Sequence, residues 1–115
     1  MVYAGISPDT GKAMYTTPSD APGGRPYDFD KARAYSAALW ECDHKDWRVP
    51  TRGELNVLLQ NRAAIGGFNE TGSHPAGWYW SSSLFVTSHA WTQRFSDGSQ
   101  DIYFRIYVSS LRCVR

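Results

Sequence analysis

A chain of 115 residues, 42% hydrophobic and 20% charged, suits one domain (1–115) with a core of its own. Its net charge is +1 and its Lys and Arg residues are scattered singly, which excludes the basic stripe that a nucleic acid requires. No apolar run approaches the ~20 residues of a membrane span and no charged segment leads into an apolar signal core, so the chain reads as soluble, without membrane insertion and without an address of its own.

The N-terminal stretch predicts two short strands, residues 2–4 and 13–16, around a turn at Ser7-Pro8-Asp9-Thr10-Gly11. "PSDAPGGRP" follows as a loop rich in Pro, Gly and Asp. Asp28 can cap a helix that starts at Phe29, places Phe29, Ala32, Tyr35 and Leu39 near one face, and stops around Glu41 to Asp43. Thr51-Arg52-Gly53-Glu54 is a capping-box pattern and announces a second helix with Leu55, Leu58 and Leu59 as its buried stripe. Gly66-Gly67 ends it, and residues 68–77 form a loop long enough to carry a job of its own. From Gly77 onward the pattern is β: a strand beginning Trp78-Tyr79-Trp80, a second over residues 90–95, a hairpin turn at Asp97-Gly98, and a final strand over residues 111–115. The order predicts an α+β domain: a strand hairpin, two helices, then a small antiparallel sheet.

With 15% aromatic residues, including five Trp and seven Tyr, the chain carries more rings than its length leads one to expect. Trp47, Trp78, Trp80 and Trp91 are read as core fillers, each burying roughly 150–250 Å². Arg48 and Arg112 are candidates for tying loops to backbone carbonyls. The last third is harder to account for. Leu84, Phe85, Val86, Thr87, Ser88 and His89 lie between two strands yet lack Gly, Pro, Asn and Asp, an odd composition for a mere connection. Either they form a plain strand edge or they form an exposed apolar platform of the kind that binds a partner.

Register bears on the other stretch, "DIYFRIYV". A two-residue turn at Asp97-Gly98 sets Arg94 opposite Asp101, Thr92 opposite Tyr103 and Trp91 opposite Phe104. That side of the hairpin (Thr92, Arg94, Asp101, Tyr103) is then wet, and Ile102 and Phe104 join Trp91 and Phe95 on the core side. A longer connection or a bulge reverses the assignment. On the strict pairing Tyr103 and Tyr107 lead the candidate contact residues, followed by Phe85, His89 and Thr92; Ser99, Asp101, Ile102, Phe104, Ile106 and Val108 complete the set. Tyrosine suits such a surface because a rigid ring buries much area at small entropic cost.

Catalytic motifs are not found. His44, His74 and His89 stand apart from one another and from any metal or nucleophile motif, and the serine run in "WYWSSS" has no Gly-x-Ser-x-Gly elbow. Cys42 and Cys113 are too few for a disulfide framework; they read as two small buried thiols, with a bridge across the fold as the alternative. The expectation is a non-enzyme without cofactor or metal.

Five pieces in order carry a resemblance: "WRVPTRGEL" at residues 47–55, "WYWSSS" at 78–83, "AW" at 90–91, "FSDG" at 95–98 and the terminal "LRCVR". Together they resemble the C-terminal domain family of the Legionella collagen-like protein, over nearly the whole chain. The resemblance implies a C-type lectin-like fold related to the formylglycine-generating group. Within that family the chain is most similar to the variable proteins of diversity-generating retroelements, such as the phage major tropism determinant. Such elements turn AAY codons into NNY codons, which cannot encode Trp, Gln, Glu, Lys or Met. None of those five types occurs at residues 84–89, 92, 99 or 101–108, whereas Trp91, Gln93 and Gln100 fall outside those windows. The implied function is non-catalytic binding of a protein or cell-surface receptor through a variable region of about 84–108, on a virion surface or cell envelope. An undiversified adhesion or carbohydrate-binding domain is the alternative, and a formylglycine-generating enzyme a weaker one. Calcium-dependent sugar binding of the lectin type finds no support, since Glu-Pro-Asn is absent and Trp91 is followed by Thr92-Gln93.

Overall fold

The computed structural model describes residues 1–22 and 25–115, so the loop reading at 23–24 lies outside the described residues. Strands β1 (Val2–Ile6) and β2 (Ala13–Thr16) pair antiparallel as the expected hairpin. Helix α1 (Phe29–Ala38) is capped by the Asp28 carboxylate, which accepts from the Lys31 N–H. Helix α2 (Arg52–Gln60) carries both halves of the capping box between Thr51 and Glu54. A single further turn, α3 (Arg62–Ile65), ends at Gly66 with φ +80°, where glycine takes a left-handed conformation without penalty. Strands β3 (Trp78–Val86), β4 (His89–Arg94) and β5 (Gln100–Phe104) form one antiparallel sheet in that order. The architecture is α+β.

Helix α2 stops at Gln60 and not at Gly66-Gly67, and three further departures from the sequence expectation each have a local reason. Helix α1 stops at Ala38 because residues 41–44 close a tight turn, with Cys42 and Asp43 at positive φ and the Trp47 indole N–H donating to the carbonyls of Glu41 and His44. The Asp97-Gly98 turn is not a two-residue one. Phe95 is fully buried against Phe68 and Tyr79, and it draws the chain inward before the turn can close. Residues 95–99 then make the connection, closed by Gly98 N–H to Arg94 O at 2.7 Å and Arg94 N–H to Ser99 O at 2.8 Å. The pairing becomes Thr92 with Asp101, Trp91 with Ile102 and His89 with Phe104, two residues away from the strict hairpin register.

The third departure is residues 111–115, which join no regular strand. This segment runs as a crossbeam instead: Val114 bridges both Thr16 and Arg48, while the preceding Ser109 and Ser110 bridge Tyr27 and Tyr79. Leu111, Arg112, Cys113 and Val114 are all buried.

Two cores result. Met14, Leu55, Leu58, Tyr79, Phe95 and Val114 fill one between the first hairpin, α2 and β3. Phe29, Ala32, Trp47, Trp80, Ala90 and Leu111 fill the other under α1. Arg112 lies beside the first core: its guanidinium donates to Asp20, to the carbonyls of Thr17 and Gly66, and covers the Phe68 ring at 3.9 Å. Arg112 thus ties carbonyls as expected. Arg48 does not, since its side chain is spent on Glu54. The cysteines are not bridged, and only one is buried: Cys42 is exposed, whereas burial pushes the Cys113 thiol up to about 11, next to the Ser36 hydroxyl at 3.2 Å.

Candidate functional site

Residues 84–89 are a hairpin tip. Strand β3 continues to Val86, Thr87 and Ser88 make the turn, and β4 starts at His89 opposite Val86. Irregular pairing between Trp80 and Leu84 lets β3 change course on the way. The serine run fixes that stretch: Ser81 Oγ donates to the Trp91 carbonyl at 2.8 Å, the Ser82 N–H reaches Pro50 O, and Ser83 Oγ accepts from the Arg52 N–H that opens α2. Beyond it the side chains leave the protein, with Leu84 48%, Phe85 55% and Val86 48% exposed.

Beside the tip lies the end of β5 and the segment that follows. His89 stacks on Phe104 with ring centroids 4.0 Å apart, and Phe104 meets Tyr107 at 5.4 Å. Phe104, Ile106, Tyr107 and Val108 are exposed, Ile106 most of all at 81%. On the same hairpin face Phe85 packs edge-on against Trp91, and the Arg52 guanidinium lies over the Trp91 ring at 3.6 Å. Arg52 in turn donates to the Gln100 side-chain carbonyl. The exposed members of the patch (residues 84–88, 104 and 106–108) carry no formal charge.

The candidate contact residues sort into three groups. Leu84, Phe85, Val86, Thr87, Ser88, Phe104, Ile106, Tyr107 and Val108 are exposed, and His89 is half-buried among them. Ser99, Asp101 and Ile102 lie down the sheet, opposite Arg94, Thr92 and Trp91, which stand three to six residues along the strand from the tip residue Ser88, on the order of 10 Å or more. Asp101 is exposed and accepts from the Ile102 N–H at 2.8 Å. Thr92 drops out of the set: it is 1% exposed and its hydroxyl donates to the Asp101 carbonyl.

The face assignment is inverted as well. The two-residue shift is not the cause, since it keeps the same residues on each side; instead Arg94 pairs with Asp97, and the Arg94–Asp101 pair that marked the wet side is absent. Ala90, Thr92 and Tyr103 face inward, and the Tyr103 ring packs against His74 at 4.9 Å, Trp78 at 5.4 Å and Trp80 at 6.4 Å. Tyr103, expected to lead the contact surface, is a half-buried edge of the core; Phe104, expected inside, stands outside with the half-buried Ile102 on the same face.

Arg105 is the residue that sequence reasoning passed over. Its backbone N–H donates to Ser88 O at 2.9 Å and its carbonyl accepts from the Phe29 N–H at 3.0 Å. Its guanidinium donates to Thr87 O at 3.1 Å and to the Asp30 carboxylate at 2.5 Å, and lies 4.7 Å from the centre of the Phe29 ring. The only signal in the chain is a lone charge inside an apolar run, Phe104-Arg105-Ile106.

A groove of about 610 Å³ opens between α1 and residues 47–51, but its Asp30 is held by Arg105 and its Arg48 by Glu54. Burial acts to raise the Glu54 carboxyl; hydrogen bonds from Arg48, the Ser7 hydroxyl and the Thr51 N–H overcome it and hold the group at about 2. Among the described residues no three His, Cys, Asp or Glu side chains converge as a metal would require, and no helix is long and apolar enough to cross a membrane.

No curated protein matches the chain. The model of the Lcl C-terminal domain family matches residues 10–115, which takes in everything from the turn of the first hairpin to the terminal crossbeam, and the chain belongs to that family.

Proposed function

We propose that this domain is a non-catalytic binding module that meets a protein or cell-surface ligand with the hairpin tip and residues 104–108. One observation carries the reading: aliphatic and aromatic side chains, uncharged and next to one another, stand in solvent on two segments while both cores are filled by other residues. Contiguous apolar surface of this kind marks interaction sites, and aromatic anchors dominate their energetics. Membership of the Lcl C-terminal family supports a binding or adhesion role.

The finer reading is that this surface is diversified. It is supported by the division of labour in the sheet. The three residues that NNY codons cannot encode are all engaged by the framework: Trp91 by Arg52, Gln93 by Asn56 and the Gly98 carbonyl, Gln100 by Arg52. Display outward from a virion or cell envelope fits such a surface. Two measurements test the proposal. Phe85→Ala, Phe104→Ala and Tyr107→Ala should each abolish adhesion of domain-coated beads to the cells that wild-type beads bind, with thermal unfolding hardly changed. Unaltered adhesion removes this surface from the reading. Sequencing the flanking DNA should reveal a near-copy of the last part of the gene with AAY at the exposed positions, beside a reverse transcriptase gene; without that copy, an undiversified adhesion domain stands in its place.

A further inference from the structure

We infer that Arg105 is a positioning residue, the fixed point about which the recognition surface is arranged, and that it must remain arginine while the residues on either side of it vary. The inference rests on the binding role proposed above. Three separate pieces of chain meet at this residue: the tip turn, the segment after β5, and the N-terminus of α1. Its main chain links Ser88 to Phe29, and its side chain links Thr87 to Asp30 while lying on the Phe29 ring. Without its side chain, the Thr87 carbonyl would lose the guanidinium donor and Asp30 its partner, while the main-chain bond to Ser88 O is one that any residue but proline supplies.

Arginine is chosen by geometry. Its planar fork presents several N–H donors in fixed directions, so one head can serve a carbonyl on one side and a carboxylate on the other while its face stays on a ring. Lysine carries a single point charge and cannot hold both partners and the ring in one plane. Stability is not the purpose of the ion pair, since Asp30 is 74% exposed and exposed pairs contribute little. What the contacts supply is the relative placement of Phe85, Val86 and His89 on one segment and of Phe104, Ile106 and Tyr107 on the other. A binding surface split between two segments loses affinity when they move independently, because binding must then order them.

Hydrogen exchange on the full chain tests this without any ligand. In Arg105→Ala, amides of residues 84–89, 29 and 105–108 should exchange about tenfold faster or more, with β4 amides beyond Ala90 unchanged; Arg105→Lys should fall between. Unchanged protection at the tip overturns the inference. So does a parallel rise throughout the core, which would make Arg105 a plain stability residue. A second arm reads binding. Residues 84–89 and 104–108, including 105, are randomised, and the displayed library is selected either on immobilised lysozyme or for folded display alone. Arginine should return at position 105 in most lysozyme binders but not in the display-only pool, while position 106 diverges. Equal divergence at 105 and 106 among binders overturns the inference. A library that gives no binders counts against the binding role itself, and the exchange experiment still decides the case of Arg105.

Discussion

Thr92 and Phe104 stand on the sides opposite to those expected, because the Arg94–Asp101 pair that marked the wet side is not made. With Phe95 buried, the connection after β4 is longer than two residues and Arg94 sits opposite Ser99 and pairs with Asp97; the two-residue shift itself leaves the same residues on each face of β5. Nothing in "RFSDGSQ" distinguishes a phenylalanine that ends a strand from one that dives into the core, so the assignment could not be read locally. Arg112 shows the opposite case, a terminal arginine whose structural role was legible from its place in "LRCVR". Its guanidinium is buried with Asp20, where desolvation outweighs the hydrogen bonds of Tyr79 and Arg112 and raises the carboxyl. Arg112→Ala leaves that carboxylate without its cation and should cost about 3–5 kcal/mol in denaturant unfolding. Glu54 gives a pH signature. Its folded-state value of about 2 lies below its ordinary 4.5, so its contribution is complete above pH 4.5 and is lost as pH falls toward 2. Because the Arg48 side chain is 41% exposed, solvent screening reduces that contribution to on the order of 1–2 kcal/mol. Glu54→Gln should therefore be less stable at neutral pH and show a flatter acid-unfolding profile between pH 4.5 and 2.

At the scale of elements, the sequence was most legible where a side chain caps or breaks the backbone. Asp28 and the Thr51–Glu54 box fall where the sequence placed them, because each satisfies the backbone within a few residues of itself, whereas Gly66 ends the short α3 and not α2, which stops at Gln60. Strands were less legible. The terminal "LRCVR" has strand composition, yet it is shared out among Thr16, Arg48 and, through the serines before it, Tyr27 and Tyr79, contacts spread across nearly the whole chain. Phe95→Ala should cost about 3–5 kcal/mol by cavity formation, and the Gln93 and Arg94 amides should lose protection as the connection slackens, which exchange NMR would read. By contrast, Thr51→Ala removes a cap and should cost about 1 kcal/mol.

For the whole molecule, the consequence is a separation between what holds the fold and what meets the ligand. Tip and β5-end side chains contribute little to either core, and exposed substitutions usually change stability by less than about 0.5 kcal/mol. A variant carrying Phe85→Ala, Ile106→Ala and Tyr107→Ala together should melt within a few degrees of wild type. Removing residues 109–115 should leave no cooperative transition in circular dichroism, since the crossbeam joins both cores. A fold read from framework motifs can therefore be right while the inward or outward sense of single side chains is wrong.

Cys42 adds a practical corollary. Of the two thiols, Cys113 is sealed and raised to about 11, so a maleimide at neutral pH will modify Cys42 alone. That thiol follows the C-terminal end of α1, whereas Asp30 and its clasp on Arg105 sit at the opposite end, some 15 Å along a ten-residue helix. Tethering the domain to a sensor chip or a dye through this one sulfur leaves the hairpin tip free to be offered to candidate ligands.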